Sequence, residues 1–241
     1  HPMGLYRSLQ LSVFRRIPAL YFAWLLRQEK RLPKVSDQPI KAQSVEDGKF
    51  EQLDLLGPLS IVDGKIRKVT HRQERMAWLK PVMDKIDILI QEGRRPLVHE
   101  VGCGSTINLR ILRQIYGKKI ELSGSDAYPV QSSEFPIHRW NFTDPVHQHY
   151  DLVFSVTALC LASDERGALL NVVMMAKRYA VLVEPLRSTA MPHQQAYLER
   201  SGHKCSFDKI ATNEGLKFEI GIPALPFSIK HPSAFLLFIK S

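Results

Sequence analysis

The 241-residue sequence predicts an α/β fold: a doubly wound, mostly parallel sheet with an antiparallel C-terminal edge and an added N-terminal helical segment. Three observations predict it. From Pro96 onward, short apolar runs alternate with helix-length stretches, the pattern of βαβ units. A strand-like run passes through a GxG turn into a helix-like stretch, VHEVGCGSTINL at 98–109. Two further apolar runs, 217–222 and 233–239, follow each other closely across a stretch holding Pro223, Pro226 and Pro232, which places them as antiparallel neighbours at one sheet edge.

Composition sets the outer bounds. With 44% hydrophobic and 24% charged residues the chain is neither disordered, collagen-like nor a coiled coil, and its length allows one large domain with an attached segment. Thirty-three Lys and Arg against 24 Asp and Glu leave a net charge of +9. That excess favours acidic partners such as nucleic acid, an anionic membrane or an acidic protein surface, and identifies none of them. Cys103, Cys160 and Cys205 are far apart and odd in number, so neither a disulfide scaffold nor a cysteine zinc site is expected. No metal and a reducing, cytoplasmic location are the expectations.

His1 and Pro2 precede Met3, which is expected to be the native start. Residues 5–26 are rich in Leu, Phe, Tyr and Trp and interrupted by Arg7, Arg15 and Arg16; the uninterrupted apolar run 17–26 is half of the ~20 residues a bilayer span needs. An amphipathic helix pair, broken near Pro18 and packed on the main domain, is expected. The alternative is an interfacial helix whose arginines meet anionic head groups, giving peripheral membrane contact. Met3, Gly4 and Ser8 also fit a short myristoylation pattern that is common by chance. Residues 31–60, punctuated by Pro33, Pro39, Gly48, Gly57 and Pro58, read as a connector. The helical segment and connector are therefore placed at 1–60 and the main domain at 61–241.

Within the main domain, Met76, Leu79, Val82, Met83, Ile86, Leu89 and Ile90 recur at helical spacing and predict a helix over 70–91. Strands are expected at 97–101, 119–123, 150–155 and 178–184, and helices at 107–116 and 164–176.

The chemistry starts at the GxG turn. Gly102 and Gly104 let the backbone bend sharply and approach a ligand, and the helix that follows is expected to offer free N–H groups. A GxG turn alone is a weak sign, since tight βα turns in any doubly wound protein share it. The dinucleotide pattern GxGxxG has Ile107 at its third glycine, which disfavours pyrophosphate and a nicotinamide oxidoreductase. Twenty-two residues after Gly104 stands Asp126, at the end of the next strand, where a carboxylate can accept both hydroxyls of a ribose.

With these residues in order, the sequence resembles the class I S-adenosylmethionine-dependent methyltransferases, in particular the small-domain group whose first motif reads LEIGCGSGxNL. HEVGCGSTINL is similar to that motif, SGSDAYP to the ribose-binding motif, YDLVFSVTALCL to the fourth-strand motif and AVLVEP to the fifth. The resemblance covers 97–184, and the ordered set is far more specific than any one motif. It implies a Rossmann-like sheet and S-adenosyl-L-methionine as cofactor. It also implies that Glu100 lies beneath the methionine moiety on a floor of Gly102, Cys103 and Gly104, and that Asp126 and Ala127 border the ribose. Asn141 and Phe142 stand where the family has an acid and a small residue beside the adenine, and Ser155 and Val156 end the fourth strand next to the cofactor. Thr106 replaces the last glycine of the first motif, and Asn141 replaces the acid.

Methyl transfer from a sulfonium needs mainly a nucleophile held in line, so positioning and desolvation supply most of the acceleration. A base is needed only for an acceptor that carries a proton. His71, His138, His147, His149, His193 and His203 are the titratable candidates, and none has a motif around it. No catalytic residue is assigned. The expected acceptor is a small molecule or a protein side chain, with an acidic protein or a hydrophobic small molecule as the fitting partner. A catalytically degenerate binder of the same fold is the alternative, and an RNA methyltransferase a further one without motif support.

Overall fold

A computed structural model describes residues 59–62, 65–68, 71–190, 195, 198–199, 202–222 and 234–240. The helical segment expected at 5–26 and the connector up to residue 58 lie outside these. Strands β1 (Leu59–Val62) and β2 (Lys65–Lys68) pair antiparallel, with Val62 opposite Lys65. Residues 59 and 60, read from sequence as the end of the connector, thus belong to a strand. Asp63-Gly64 separates the two strands in sequence, and Asp-Gly is a strong two-residue hairpin signal.

Helix α1 (His71–Gln91) follows. Its Leu79, Val82, Ile86 and Leu89 are fully buried and recur every three or four residues, so one stripe of the helix lies on the main sheet. That sheet has seven strands: β3 (Leu97–Val101), β4 (Glu121–Asp126), β5 (Ile137–Arg139), β6 (Tyr150–Val156), β7 (Ala176–Glu184), β8 (Phe218–Gly221) and β9 (Ala234–Ile239). Their order is β5-β4-β3-β6-β7-β9-β8. The first five are parallel, and β9 runs antiparallel between β7 and β8. The antiparallel edge expected from the sequence is present and has two strands.

Helices α2 (Ile107–Tyr116), α3 (Glu165–Met175) and α4 (Phe207–Asn213) complete three layers. Alternation along the strands fills both sides. Val98, Leu152, Phe154 and Val181 pack with α1 and α2, while Val153, Ala180 and Leu182 pack with α3 and α4. Both strand faces are buried, which is why these strands read as continuous apolar runs. Asp164 caps α3 by accepting the Gly167 N–H at 3.0 Å, and α3 passes into β7 with no loop, so β7 begins at Ala176 rather than 178.

Strand β4 also departs from expectation, lying at 121–126 instead of 119–123. Residues Gly117–Lys119 extend α2 as a 3₁₀ turn. The Ser-Gly-Ser-Asp stretch is a poor strand former on its own, but neighbours hold it on both sides: Ser125 faces Val101 of β3 and Asp126 faces Arg139 of β5. Gly124 is required there, because a Cβ would stand 2.8 Å from the Cys103 sulfur. The three-residue β5 and the seven-residue α4 lack a period long enough to be read from sequence. Among the described residues no helix is long and apolar enough to cross a membrane.

The chain steps outward from β3 through β4 to β5, then returns to place β6 on the other side of β3. The crevice beyond the carboxyl ends of β3 and β6 is therefore a topological switch point, where open α/β sheets bind ligands.

Candidate functional site

A cavity of about 670 Å³ occupies that crevice, a volume suited to a ligand of cofactor size. Nine of the ten candidate residues line it: Glu100, Gly102, Cys103 and Gly104 from β3 and its turn, Asp126 and Ala127 from the end of β4, Asn141 and Phe142 from the segment after β5, and Val156 from the end of β6. The tenth, Ser155, is buried behind the wall and donates its hydroxyl to Glu184 at 2.8 Å.

The turn after β3 is built on left-handed backbone. Gly102 has φ +71° and Gly104 φ +45°. A Cβ at Gly102 would stand 2.3 Å from the Ala158 Cβ, so the glycine lets this turn touch the loop after β6; a Cβ at Gly104 meets nothing within 4 Å. Thr106, which replaces the family's last glycine, keeps the glycine conformation at φ 63°, ψ 16° although β-branched and buried.

The turn amides are tied down, while the N-terminus of α2, where free N–H groups were expected, carries no side-chain cap. Gly102 and Cys103 donate to the Ser125 carbonyl at 2.8 and 3.1 Å, Gly104 to Asp126 Oδ2 at 2.9 Å, and Thr106 to the Cys103 carbonyl at 2.8 Å. The loop is thereby tied to the end of β4.

Two acids face the cavity. Asp126 accepts from Gly104 through Oδ2 and from the Tyr128 amide through Oδ1, each at 2.9 Å, which fixes the carboxylate at the strand end. Glu100 is buried; Asn108, in the first turn of α2, donates Nδ2 to its Oε1 at 2.6 Å. Its Oε2 has no partner, and neither has Asn108 Oδ1. Burial pushes the Glu100 carboxyl up to about 8, with the Asp126 charge adding to the shift, and with the Asn108 bond and the Arg75 charge opposing it.

Strand β5 brings the third wall into place, because the Trp140 amide donates to the Asp126 carbonyl at 3.1 Å. Trp140 meets Phe142 edge-on at 6.0 Å, and Asn171 of α3 donates to the Phe142 carbonyl at 2.6 Å. Opposite, Thr157 is left-handed at φ 53°, and Ala158 and Leu161 line the wall beside it. Of the lining residues, Tyr128 is 57% and Leu161 68% exposed, together with the exposed polar Ser105, Asn141 and Ser163.

Arg75 of α1 also lines the cavity, with its guanidinium 5.0 Å from the centre of the Trp78 ring. It ends the basic stretch KIRKVTHRQER at 65–75, and nothing in the sequence singles it out. Of the histidines weighed as bases, His138, His147 and His149 are exposed and His203 half-buried, and none lines the cavity. His193 and the His71 side chain lie outside the described residues. His99, not among those candidates, is buried between the Ser123 and Ser125 hydroxyls at 2.8 and 2.9 Å and stacked on Tyr150. Burial holds its imidazole neutral, down at about 3.

No family model matches the sequence, and no curated protein is similar to it. Solved structures share its fold. A chain of the complex between the Haloferax volcanii Trm112 methyltransferase activator and the putative methyltransferase is 13% identical, with a TM-score of 0.54 over 80% of this chain and 94% of that one. The CMeT domain of the citrinin polyketide synthase is 12% identical, with a TM-score of 0.50 over 68% of this chain and 52% of that one. At such identities the likeness is one of fold: the chain has the Rossmann-like fold of the class I methyltransferases.

Proposed function

We propose that this protein is an S-adenosylmethionine-dependent methyltransferase acting on a small molecule or a protein side chain. One observation carries the reading: a switch-point cavity joins a fixed carboxylate at a strand end, an aromatic and amide wall, and a buried acid with an orphan oxygen, around a turn tied to the end of β4. Ribose hydroxyls fit Asp126, a flat base fits against the wall of Trp140 and Phe142 with Asn141 at its edge, and an ammonium fits Glu100 Oε2 and Asn108 Oδ1. Arg75 suits the carboxylate of the same amino-acid moiety.

When bound, the cofactor supplies an activated methyl on a sulfonium centre. The chain's own work is positioning and exclusion of water. Asp126 and the Trp140–Phe142 wall orient the nucleoside, Glu100 and Arg75 hold the amino-acid end, and the uncharged wall of Thr157, Ala158 and Leu161 borders the open side where an acceptor enters. No histidine lines the cavity among the described residues, which suits an acceptor whose lone pair is free near neutral pH.

Calorimetric titration with S-adenosylhomocysteine and with NAD tests the binding half. The reading expects micromolar affinity for the first and none for the second; the reverse overturns it. Transfer of a labelled methyl group from S-adenosylmethionine into cell extract tests turnover.

A further inference from the structure

The loop after β6 is held from behind by a residue that never reaches the cavity. We propose that Glu184 is the positioning residue of the site: from its buried place at the end of β7 its carboxylate fixes the turn after β6, and through that turn it sets the contact between Ala158 and Gly102 that shapes the cavity. The proposal rests on the cofactor reading above for its effect on binding.

Four donors converge on this carboxylate. Oε1 accepts from the Ser155 hydroxyl at 2.8 Å and from the Ala158 and Leu159 amides at 3.1 Å, and Oε2 accepts from the Cys160 amide at 3.2 Å. The three amides open a 3₁₀ turn, Leu159–Leu161, and have no partner within it. Leu159, Cys160 and Glu184 are all buried, so removing the carboxylate leaves buried N–H groups unpaired. All four partners donate, and only a carboxylate offers enough acceptors without adding a competing donor.

The turn needs such a hold. Thr157, just before it, is β-branched at φ 53°, a conformation that persists only where its surroundings fix it. The Thr157 amide is anchored to the Val183 carbonyl at 2.9 Å, one residue from Glu184, so the strained residue is pinned from both sides. Ala158, next along, is the residue whose Cβ a side chain at position 102 would meet. The chain of contact therefore runs from Glu184 to Ala158 to the glycine turn that carries Glu100 and Gly104. It also gives Ser155 a role different from the expected contact with cofactor: the hydroxyl orients Glu184.

The test compares Glu184→Gln and Ser155→Ala with the wild-type full chain, by amide hydrogen exchange of the ligand-free protein and by titration with S-adenosylhomocysteine. For Glu184→Gln the expected result is at least tenfold faster exchange at residues 158–160, unchanged protection in β3 and α2, and about tenfold weaker S-adenosylhomocysteine binding at a temperature where the variant is folded. Ser155→Ala should move both readouts the same way by a smaller factor, about threefold. A purely structural role lowers the melting temperature and leaves the dissociation constant of the folded variant unchanged, and that result overturns the proposal. So does unchanged exchange at 158–160. If Glu184→Gln does not fold, Ser155→Ala decides on the same two readouts. If the wild-type protein binds no S-adenosylhomocysteine and Glu184→Gln still exchanges faster at 158–160, the cofactor reading is overturned and the hold on the turn stands.

Discussion

The Gly104 amide and the Asp126 carboxylate are joined at 2.9 Å, so the turn after β3 and the end of β4 form one hydrogen-bonded unit. Asp126 also accepts from the Tyr128 amide, so each of its oxygens holds one amide and keeps a lone pair beside the cavity the residue lines. Two charge-assisted bonds to a ribose contribute roughly 2–4 kcal/mol. Asp126→Ala should therefore weaken S-adenosylmethionine binding by about 30- to 1000-fold. Asp126→Asn, which keeps an acceptor for one amide, should fall between. Calorimetry on folded variants checks this, and an unchanged dissociation constant removes Asp126 from the site.

The two glycines of the turn should fail differently. At Gly104 an added Cβ meets no protein atom within 4 Å, and its cost is the strain of φ +45°, about 1–2 kcal/mol. Gly104→Val should fold with a modestly lower melting temperature and lose S-adenosylhomocysteine binding, because the side chain occupies the cavity. At Gly102 even a methyl stands 2.3 Å from the Ala158 Cβ. Gly102→Ala adds overpacking of about 1–3 kcal/mol to the same kind of strain, so it should lose the larger share of its stability. Thermal melts in parallel with ligand titration distinguish the two; retained binding in folded Gly104→Val shows the turn to be an ordinary βα connection.

Much of this was legible because local and long-range signals agree. Helix α2 follows its apolar spacing to the residue, from Ile107 to Tyr116, and β3, β6 and β7 announce themselves as runs buried on both faces. Where the hold is tertiary the reading was partial or failed: β4 was expected but placed too early, because its neighbours carry it through Ser123, Gly124 and Ser125, and β5, three residues long, was not legible. The same division holds at the cavity. Residues in motifs, such as Asp126 and Gly102, can be read from the sequence. Arg75 arrives on a helix that precedes the first motif, and Ser155 turns inward to Glu184 because β6 alternates faces, which the motif alone does not reveal.

Trp140 offers a spectroscopic handle. Its indole lines the cavity, donates to the Pro145 carbonyl at 3.3 Å and meets Phe142 edge-on. A base stacked on this wall should quench its emission. S-adenosylhomocysteine should lower the tryptophan fluorescence of the wild-type protein, and Trp140→Phe should bind within about tenfold while losing that change. A full fluorescence response in Trp140→Phe places the base elsewhere.

Glu100 should leave two signatures in pH. Its carboxyl is pushed up to about 8 in the folded protein, against an ordinary value of 4.5. Between those values the folded chain keeps a proton that the unfolded chain has released, so the contribution of this group to stability is greatest at low pH. It declines as pH rises from about 4.5 to about 8 and changes no further above that. Glu100→Gln cannot titrate, and its stability relative to wild type should rise across this window, as melting temperatures from pH 5 to pH 8.5 will show. The second signature belongs to the ligand. An ammonium set against the orphan Oε2 favours the carboxylate, so binding S-adenosylhomocysteine at pH 7 should expel close to one proton from the wild-type protein. Titrations in phosphate and in Tris, whose ionisation heats differ widely, should then give different apparent enthalpies for the wild type and equal ones for Glu100→Gln. Equal enthalpies for the wild type in both buffers leave Glu100 with no part in holding the amino-acid end.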